Sequence, residues 1–276
     1  MTDQNRLQFV CVGPQRTASS WLHKHLVSHP GLSFPEYVKE TMFFDARYDK
    51  GMGWYWGHFA CNEEDKQRGE IAPTYFDSDK ARCRLRMFKG LKVIVLVRDP
   101  IERTYSLFRH HRSKGRVPND YFAAIEQMPR IESSGKYAIW CGKWEADFGS
   151  DHVLYLLQDE IESNPQMVFD RLCEFLGVQA MVLPKEASKR FGQATQPKWP
   201  IVTKACAGLS TQLRSIGLNR PIEIAKSMGL RSLLIGKAMG HEEMPTDIRD
   251  RLTELYRDDI DWLEKKVGRP VTRSWR

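Results

Sequence analysis

The chain alternates between short apolar runs and longer stretches in which apolar residues recur at helical spacing. Four apolar runs are short enough for buried strands, and they cover residues 7–12, 69–72, 91–97 and 153–157. Helical spacing begins at about residue 19, resumes after Pro100, and is clearest over residues 165–176 and 246–267. This alternation predicts an α/β fold with a central parallel sheet and helices on both faces.

Length and composition indicate one globular domain over residues 1–276. Hydrophobic residues make up 41% of the 276 residues and charged residues 28%, which are ordinary values for a chain with a sizeable core. The net charge of +7 favours anionic ligands. Because the basic residues are scattered, we expect no nucleic acid partner.

Cysteine usage and hydropathy favour a cytoplasmic protein. The six cysteines show no Cys-x-x-Cys spacing, and several lie within apolar runs, as reduced buried thiols do. No stretch reaches the roughly 18 apolar residues of a membrane span, and the first motif starts too near Met1 for a signal peptide to precede it. A peripheral membrane contact stays open, and no pattern specifies an oligomeric state.

A polar loop joins the first predicted strand to the first helix. It holds one arginine and three hydroxyls within five residues, Arg16-Thr17-Ala18-Ser19-Ser20. The N–H groups and dipole of a helix start favour a phosphate or sulfate, and the arginine and hydroxyls add donors. The alternative is that the hydroxyls only cap the helix.

A second polar turn, Arg98-Asp99-Pro100, ends the most apolar strand. Ligands of parallel sheets bind at the carboxyl ends of the strands, where both turns are expected to lie. Asp99 could imitate the acidic residue of a Walker-B strand, but the first loop lacks the Gly-Lys-Ser/Thr ending of a P-loop. His110 and His111 follow on the next helix, and we interpret them as structural. Tyr137, Trp140 and Trp144 are interpreted as core residues.

Two motifs in this order resemble those of sulfotransferases that use 3′-phosphoadenosine-5′-phosphosulfate (PAPS). The motifs are Gly13-Pro14-Gln15-Arg16-Thr17-Ala18-Ser19-Ser20-x-Leu22 and Val97-Arg98-Asp99-Pro100-x-x-Arg103-x-x-Ser106. Between them, Lys39-Glu40-Thr41-Met42-Phe43-Phe44-Asp45 and Gly51-Met52-Gly53-Trp54-Tyr55 are similar to the heparan-sulfate sulfotransferase branch. The resemblance covers roughly residues 7–178 and implies a P-loop-kinase-like sulfotransferase fold.

The resemblance implies a set of residues that bind PAPS and its desulfonated product PAP, with no metal required. These cofactor-binding residues are Gln15, Arg16, Thr17, Ala18, Ser19, Ser20, Arg98, Ser106, Lys237 and Gly240. Arg98 and Ser106 match the positions that contact the 3′-phosphate. Ala18 stands where the family usually has glycine, and because alanine resists positive φ, we expect a slightly displaced loop.

The implied catalytic residues are Glu40, Arg16 and Lys39. Glu40 matches the family's general base, whose partner Lys39 opposes the rise in pKa that the apolar neighbours favour. The alternative is a surface Lys-Glu pair.

The segment at about 190–241 diverges from the heparan branch, and we interpret it as helical. An acceptor lid, a membrane-surface patch and a small helical cap on the sheet are its alternatives. The acceptor, a hydroxyl or amine on a small molecule, glycan or lipid, is therefore not taken from the resemblance. Competing functions are a P-loop-like nucleotide kinase or NTPase, which needs magnesium, and a non-catalytic nucleotide-binding protein.

Overall fold

Five parallel strands form the central sheet of the computed structural model, which describes residues 6–60, 65–184, 187, 195–197, 235–238, 242–268 and 271. Their spatial order is β2-β3-β1-β4-β5, and every pairing is parallel. The strands are β1 (Phe9–Cys11), β2 (Leu32–Ser33), β3 (Gln67–Ile71), β4 (Lys92–Val97) and β5 (Val153–Leu157). The sheet confirms the α/β prediction.

Helices connect the strands and extend the chain beyond β5. The first six are α1 (Ser19–Leu26), α2 (Phe43–Ala46), α3 (Gly51–Trp56), α4 (Asp79–Leu85), α5 (Pro100–Ser113) and α6 (Tyr121–Gln127). They are followed by α7 (Arg130–Ser133), α8 (Tyr137–Phe148), α9 (Gln158–Ser163), α10 (Pro165–Leu176) and α11 (Thr246–Val267). Short 3₁₀ turns lie at Tyr48–Lys50, Pro73–Tyr75 and Ser150–His152.

The sheet separates two hydrophobic clusters, because successive side chains of a strand point to opposite faces. In β4, Val93 and Val95 belong to the larger cluster, together with residues of α5, α8 and α11. Ile94 and Leu96 belong to the other, together with residues of α1 and α10. Helices therefore cover both faces, which is why the central strand is apolar throughout.

Segments of strong periodicity have the predicted bounds. Helix α10 ends at Gly177, whose φ of 74° is the left-handed conformation that suits glycine. Helix α11 covers the predicted residues 246–267.

Tyr137 and Trp144 are fully buried, which confirms their interpretation as core residues.

The divergent segment is described only near its ends. Strands β6 (Thr195–Pro197) and β7 (Ile235–Ala238) pair antiparallel. At these residues the segment forms strands and not the predicted helix, and because most of the segment lies outside the described residues, its helical character there stays a prediction. Among the cysteines that the structure describes, Cys11, Cys83, Cys141 and Cys173 are free.

Candidate active site

The loop between β1 and α1 is tightly built. A Cβ on Gly13 would lie 2.1 Å from the backbone nitrogen of Leu96, so only glycine fits where this loop crosses β4. The Thr17 hydroxyl donates to the carbonyl of Pro14 at 2.6 Å. The Thr17 side chain is buried, and its hydrogen bond stabilises the turn of the loop. Its predicted contact with a ligand stays a prediction.

Two non-glycine residues of this loop have left-handed backbone conformations. Arg16 has φ 76° and Ala18 has φ 66°. Ala18 was expected to resist positive φ, but it adopts that conformation, and its carbonyl accepts the N–H groups of Trp21 and Leu22 as α1 begins. Such conformations cost of order 1–3 kcal/mol each and persist where surrounding contacts fix them.

Arg16 and Ser106 bring the two predicted phosphate motifs together. Arg16 Nε donates to Ser106 Oγ at 3.0 Å, although the residues are 90 positions apart. Arg98 Nη1 donates to the carbonyl of Arg16 at 3.3 Å, and the Tyr137 hydroxyl donates to the carbonyl of Arg98 at 2.7 Å. The β1–α1 loop and the carboxyl end of β4 therefore form one structure.

This junction concentrates positive charge. Burial lowers the pKa of Arg16, and the charges of Arg98 and Arg109 lower it further. Burial also lowers the pKa of Arg98, and the charges of Glu102 and Asp99 oppose that shift. Within the described ranges, neither Arg16 nor Arg98 forms an ion pair with a carboxylate. An anion bound to Arg16 would offset its repulsion by Arg98 and Arg109.

Lys39 and Glu40 adjoin the first turn of α1. Lys39 Nζ donates to Ser19 Oγ at 2.9 Å and to Ser20 Oγ at 3.4 Å, and it lies 3.4 Å from Glu40 Oε1. Burial raises the pKa of Glu40, Lys39 opposes that shift, and Asp45 adds to it. Because 29% of the Glu40 side chain stays exposed, its carboxylate combines a raised proton affinity with access from outside.

A buried carboxylate that the sequence analysis missed holds the backbone next to Glu40. Glu70, on β3, is 0% exposed, and its Oε1 accepts the Thr41 N–H at 2.8 Å and the Thr41 hydroxyl at 2.5 Å. Tyr55 and Tyr75 each donate to Glu70 Oε2 at 3.2 Å. Burial raises the pKa of Glu70 to about 7, against the effect of these hydrogen bonds. The only sequence signal was a glutamate inside a predicted buried strand.

Three other sequence candidates have distinct positions. Asp99 caps α5 by accepting the N–H of Ile101 at 2.8 Å, and burial raises its pKa to about 6. The pKa of His110, interpreted above as structural, is lowered to about 4 by burial first and by the charge of Arg16 second. His111 is buried.

The remaining predicted site residues are not joined to this junction by a described contact. Gln15 lies in the β1–α1 loop and is partly buried. Lys237 lies in β7, but its side chain is outside the described residues, as is all of Gly240. Their roles stay predictions.

A cavity of about 720 Å³ opens beside Lys39 and Glu40. Among the described residues, no group of three or more His, Cys, Asp or Glu side chains is arranged to hold a metal ion. The described part of the chain also contains no helix long and apolar enough to cross a bilayer.

A family model described as "Sulfotransferase domain" matches residues 7–265. The chain belongs to the sulfotransferase family. This membership confirms the resemblance and supports sulfuryl transfer as the class of reaction.

The curated relatives include heparan sulfate enzymes of greater length. The bifunctional heparan sulfate N-deacetylase/N-sulfotransferase 4 of Mus musculus is 25% identical over 97% of this chain and 31% of its own length. The bifunctional heparan sulfate N-deacetylase/N-sulfotransferase 2 of Homo sapiens is 26% identical over 97% of this chain and 30% of its own. The chain thus spans about a third of the length of these relatives.

A solved structure has the same fold. The sulfotransferase from Alicyclobacillus acidocaldarius has a TM-score of 0.69 and 20% identity, with coverage of 98% of this chain and 99% of its own. At that identity the likeness shows the fold alone.

Proposed function

We propose that this protein transfers a sulfuryl group from PAPS to a hydroxyl or amine of an acceptor, with Glu40 as the general base. The observation that carries the proposal is the meeting of two functional pairs at the start of α1. Arg16 contacts Ser106 in the cationic junction, and Lys39 joins Ser19 to Glu40. The residues that would bind phosphate and the residue that would accept a proton thus adjoin the same loop and the first turn of the same helix.

The cationic junction fits the phosphate groups of PAPS. Arg16 and the N–H groups at the start of α1 would hold the 5′-phosphosulfate, as anions are held at helix starts. Arg98 and Ser106 would hold the 3′-phosphate, because a guanidinium keeps further donors beyond its one described bond to Arg16. Lys39 would balance charge on the transferring group.

The chemistry then requires one proton transfer. The acceptor oxygen or nitrogen bonds to sulfur while the bond from sulfur to the bridging phosphate oxygen breaks, and PAP leaves with that electron pair. Glu40 takes the proton of the attacking group. Its raised pKa suits this role, because a general base works best when its proton affinity is near the working pH.

The test is to incubate the protein with PAPS and a cell extract and search by mass for products heavier by one SO₃. We expect PAP to form in step with such a product, and a chelator to leave the rate unchanged. PAP formation that matches no sulfated product, or phosphate transfer from ATP that requires magnesium, would contradict the proposal.

A further inference from the structure

Thr41, the residue that follows Glu40, has a hydrogen bond at each of its polar groups. Its N–H and its hydroxyl both donate to Glu70 Oε1, at 2.8 and 2.5 Å. The same hydroxyl accepts the N–H of Phe43 at 3.1 Å, and the Thr41 carbonyl accepts a bond from Arg47 Nη1 at 3.0 Å. Because Thr41 is 0% exposed, bulk water does not compete for these groups. The backbone that carries the Glu40 side chain is therefore fixed on its C-terminal side.

Glu70 is itself held by a rigid part of the fold. It lies on β3, where it pairs in register with Val10 of β1, and β1 leads into the loop that contains Arg16. The hydroxyls of Tyr55 and Tyr75 donate to Glu70 Oε2 at 3.2 Å and fix the plane of the carboxyl group. Groups anchored on strands are placed more precisely than groups on loops. Glu70 thus ties the segment after Glu40 to the same strands that place the cationic junction.

The segment after Thr41 has a backbone conformation that local preference does not explain. Met42 has φ 55°, in the left-handed region, and α2 begins at the next residue. Non-glycine residues keep such conformations where surrounding contacts fix them. Here the contacts come from Thr41 and from Tyr75, whose hydroxyl accepts the N–H of Phe44 at 3.2 Å. The hydrogen bonds around Glu70 therefore determine the path of the chain next to Glu40.

These bonds require an acceptor on Glu70 but not a negative charge. Oε1 accepts both bonds from Thr41, whereas the described contacts of Oε2 are with the hydroxyls of Tyr55 and Tyr75. A tyrosine hydroxyl either donates or accepts. A protonated carboxyl or an amide could therefore donate from the Oε2 position to a tyrosine while the other oxygen still accepts from Thr41.

We propose that Glu70 is a positioning residue for Glu40, which acts through Thr41 and as a hydrogen-bond acceptor whether or not it is charged. Glu40 lines the cavity, and Glu70 is not among the described wall residues, so Glu70 acts on the substrate only through the Glu40 segment. The inference rests on the proposed function, since it concerns the base of that reaction. A general base must lie within hydrogen-bond reach of the proton that it takes, so a displaced Glu40 loses rate.

Four variants separate positioning from folding. Glu70→Gln removes the charge and keeps the acceptor, whereas Glu70→Met keeps a side chain of similar length without an acceptor. Thr41→Val is nearly isosteric and removes only the hydroxyl, so it carries the test if Glu70→Met does not fold. Thr104→Val is the matched control, because Thr104 is 0% exposed and its hydroxyl bonds to Arg103 at 2.7 Å and to Tyr256 at 2.8 Å, away from Glu40.

The first measurement needs no turnover. The carboxyl carbon of Glu40 is titrated by NMR in the full chain labelled with ¹³C-glutamate, and its signal is assigned by its loss in Glu40→Gln. Burial raises the pKa of Glu40 in the parent. In Glu70→Met and Thr41→Val this pKa should move toward the ordinary value for glutamate, because a released side chain regains water. Glu70→Gln and Thr104→Val should keep the parent titration.

The second measurement is the single-turnover rate with PAPS, with 4-nitrophenol and N-desulfated heparin as acceptors. Glu70→Met should slow sulfation by about 10²-fold, as a displacement of about 1 Å does. Thr41→Val should slow it by about tenfold, since its N–H still donates to Glu70. Glu70→Gln and Thr104→Val should keep the parent rate, and the Kd of PAP should be the same in all four variants.

The two measurements distinguish failure of this inference from failure of the proposed function. A Glu40 titration and a rate that neither Glu70→Met nor Thr41→Val changes would overturn the inference, as would a loss in Glu70→Gln equal to that in Glu70→Met. If the test with the cell extract yields no sulfated product, the proposed function is contradicted. The Glu40 titration then supports or overturns the positioning role by itself.

Discussion

Two groups of residues at the start of α1 differ in how their charges are paired. The phosphate side contains Arg16 and Arg98, and the carboxylate side contains Lys39, Glu40 and Glu70. On the phosphate side, the charge of Arg98 lowers the pKa of Arg16, and in the described part of the chain neither arginine forms an ion pair with a carboxylate. On the carboxylate side, Lys39 pairs with Glu40, and four hydrogen bonds from Thr41, Tyr55 and Tyr75 surround Glu70. We therefore expect an anion to supply the counter-charge on the first side, whereas residues of the chain itself supply it on the second.

This difference predicts separable consequences of substitution. If the proposed function is right, changes on the phosphate side should alter nucleotide affinity, because the nucleotide's phosphates would contact these arginines. Changes on the carboxylate side should alter turnover or stability and leave nucleotide affinity in place. The predictions below test that separation, beginning with the largest expected effect.

The largest effect is expected at Glu40. Glu40→Gln keeps the shape and removes the basic site, so single-turnover sulfation should slow by about 10²–10⁴-fold, with the Kd of PAP unchanged in calorimetry. Glu174→Gln, on an exposed position of α10, is the control for loss of one negative charge. A variant that sulfates at the parent rate would place the base elsewhere, and His110, whose pKa the charge of Arg16 helps to lower, would be the next residue to replace.

The next effect concerns Glu70 and stability. Its pKa is raised from 4.5 to about 7 in the fold, so the folded state holds this proton more tightly than the unfolded state. The resulting stabilisation is fully present below about pH 4.5 and is lost as pH rises through 7, amounting to about 3 kcal/mol. Glu70→Gln stays neutral at every pH and keeps an acceptor for Thr41. As pH rises from 4.5 to above 7, its free energy of unfolding should therefore rise by that amount relative to the parent.

Urea denaturation of both proteins between pH 4.5 and pH 8 measures this difference. Because both proteins contain the same other titratable groups, the difference between their free energies of unfolding isolates the titration of Glu70. A constant difference across this range would mean that Glu70 keeps an ordinary pKa, and that its hydrogen bonds offset the cost of burying its charge.

A smaller effect is expected at Arg98. Arg98→Ala removes a charge-assisted contact worth about 1.5–3 kcal/mol, so PAP should bind roughly tenfold or more weakly, while adenosine 5′-phosphate should be little affected. Arg86→Ala is the control, since the Arg86 side chain is 60% exposed and lies 3.7 Å from Asp147. Equal losses for both nucleotides would mean that Arg98 does not recognise the 3′-phosphate.

Sequence reasoning predicted that the β1–α1 loop and the turn after β4 lie together, but it did not predict the hydrogen bonds of Glu70. Arginine and hydroxyls between a strand and a helix are a local pattern that predicts an anion site. The Arg16–Ser106 contact is expected because the carboxyl ends of parallel strands lie at one edge of the sheet. Glu70 has no such local signal. Its meaning depends on Thr41, Tyr55 and Tyr75, which reach it only through tertiary packing.

The backbone conformation of the β1–α1 loop was also not predicted from the sequence. Ala18 was expected to displace the loop because alanine resists positive φ, yet it adopts φ 66°. Its neighbours are fixed from both sides, by Arg98 on the carbonyl of Arg16 and by the buried Thr17 hydroxyl on Pro14. Tertiary contacts at this position outweigh a local preference worth about 1–2 kcal/mol.

The smallest effect is expected at Ala18 and concerns that strain. Ala18→Gly removes a left-handed penalty of about 1–2 kcal/mol and adds unfolded-state entropy worth about 0.4–1 kcal/mol, so the free energy of unfolding should rise by roughly 0.5–1 kcal/mol. Ala123→Gly, in the right-handed helix α6, should instead lower it by about 0.8–1 kcal/mol. Urea denaturation of the PAP-free proteins measures both. Opposite signs would show that the β1–α1 loop is strained in the absence of a ligand, and a loss of stability at both positions would show that it is not.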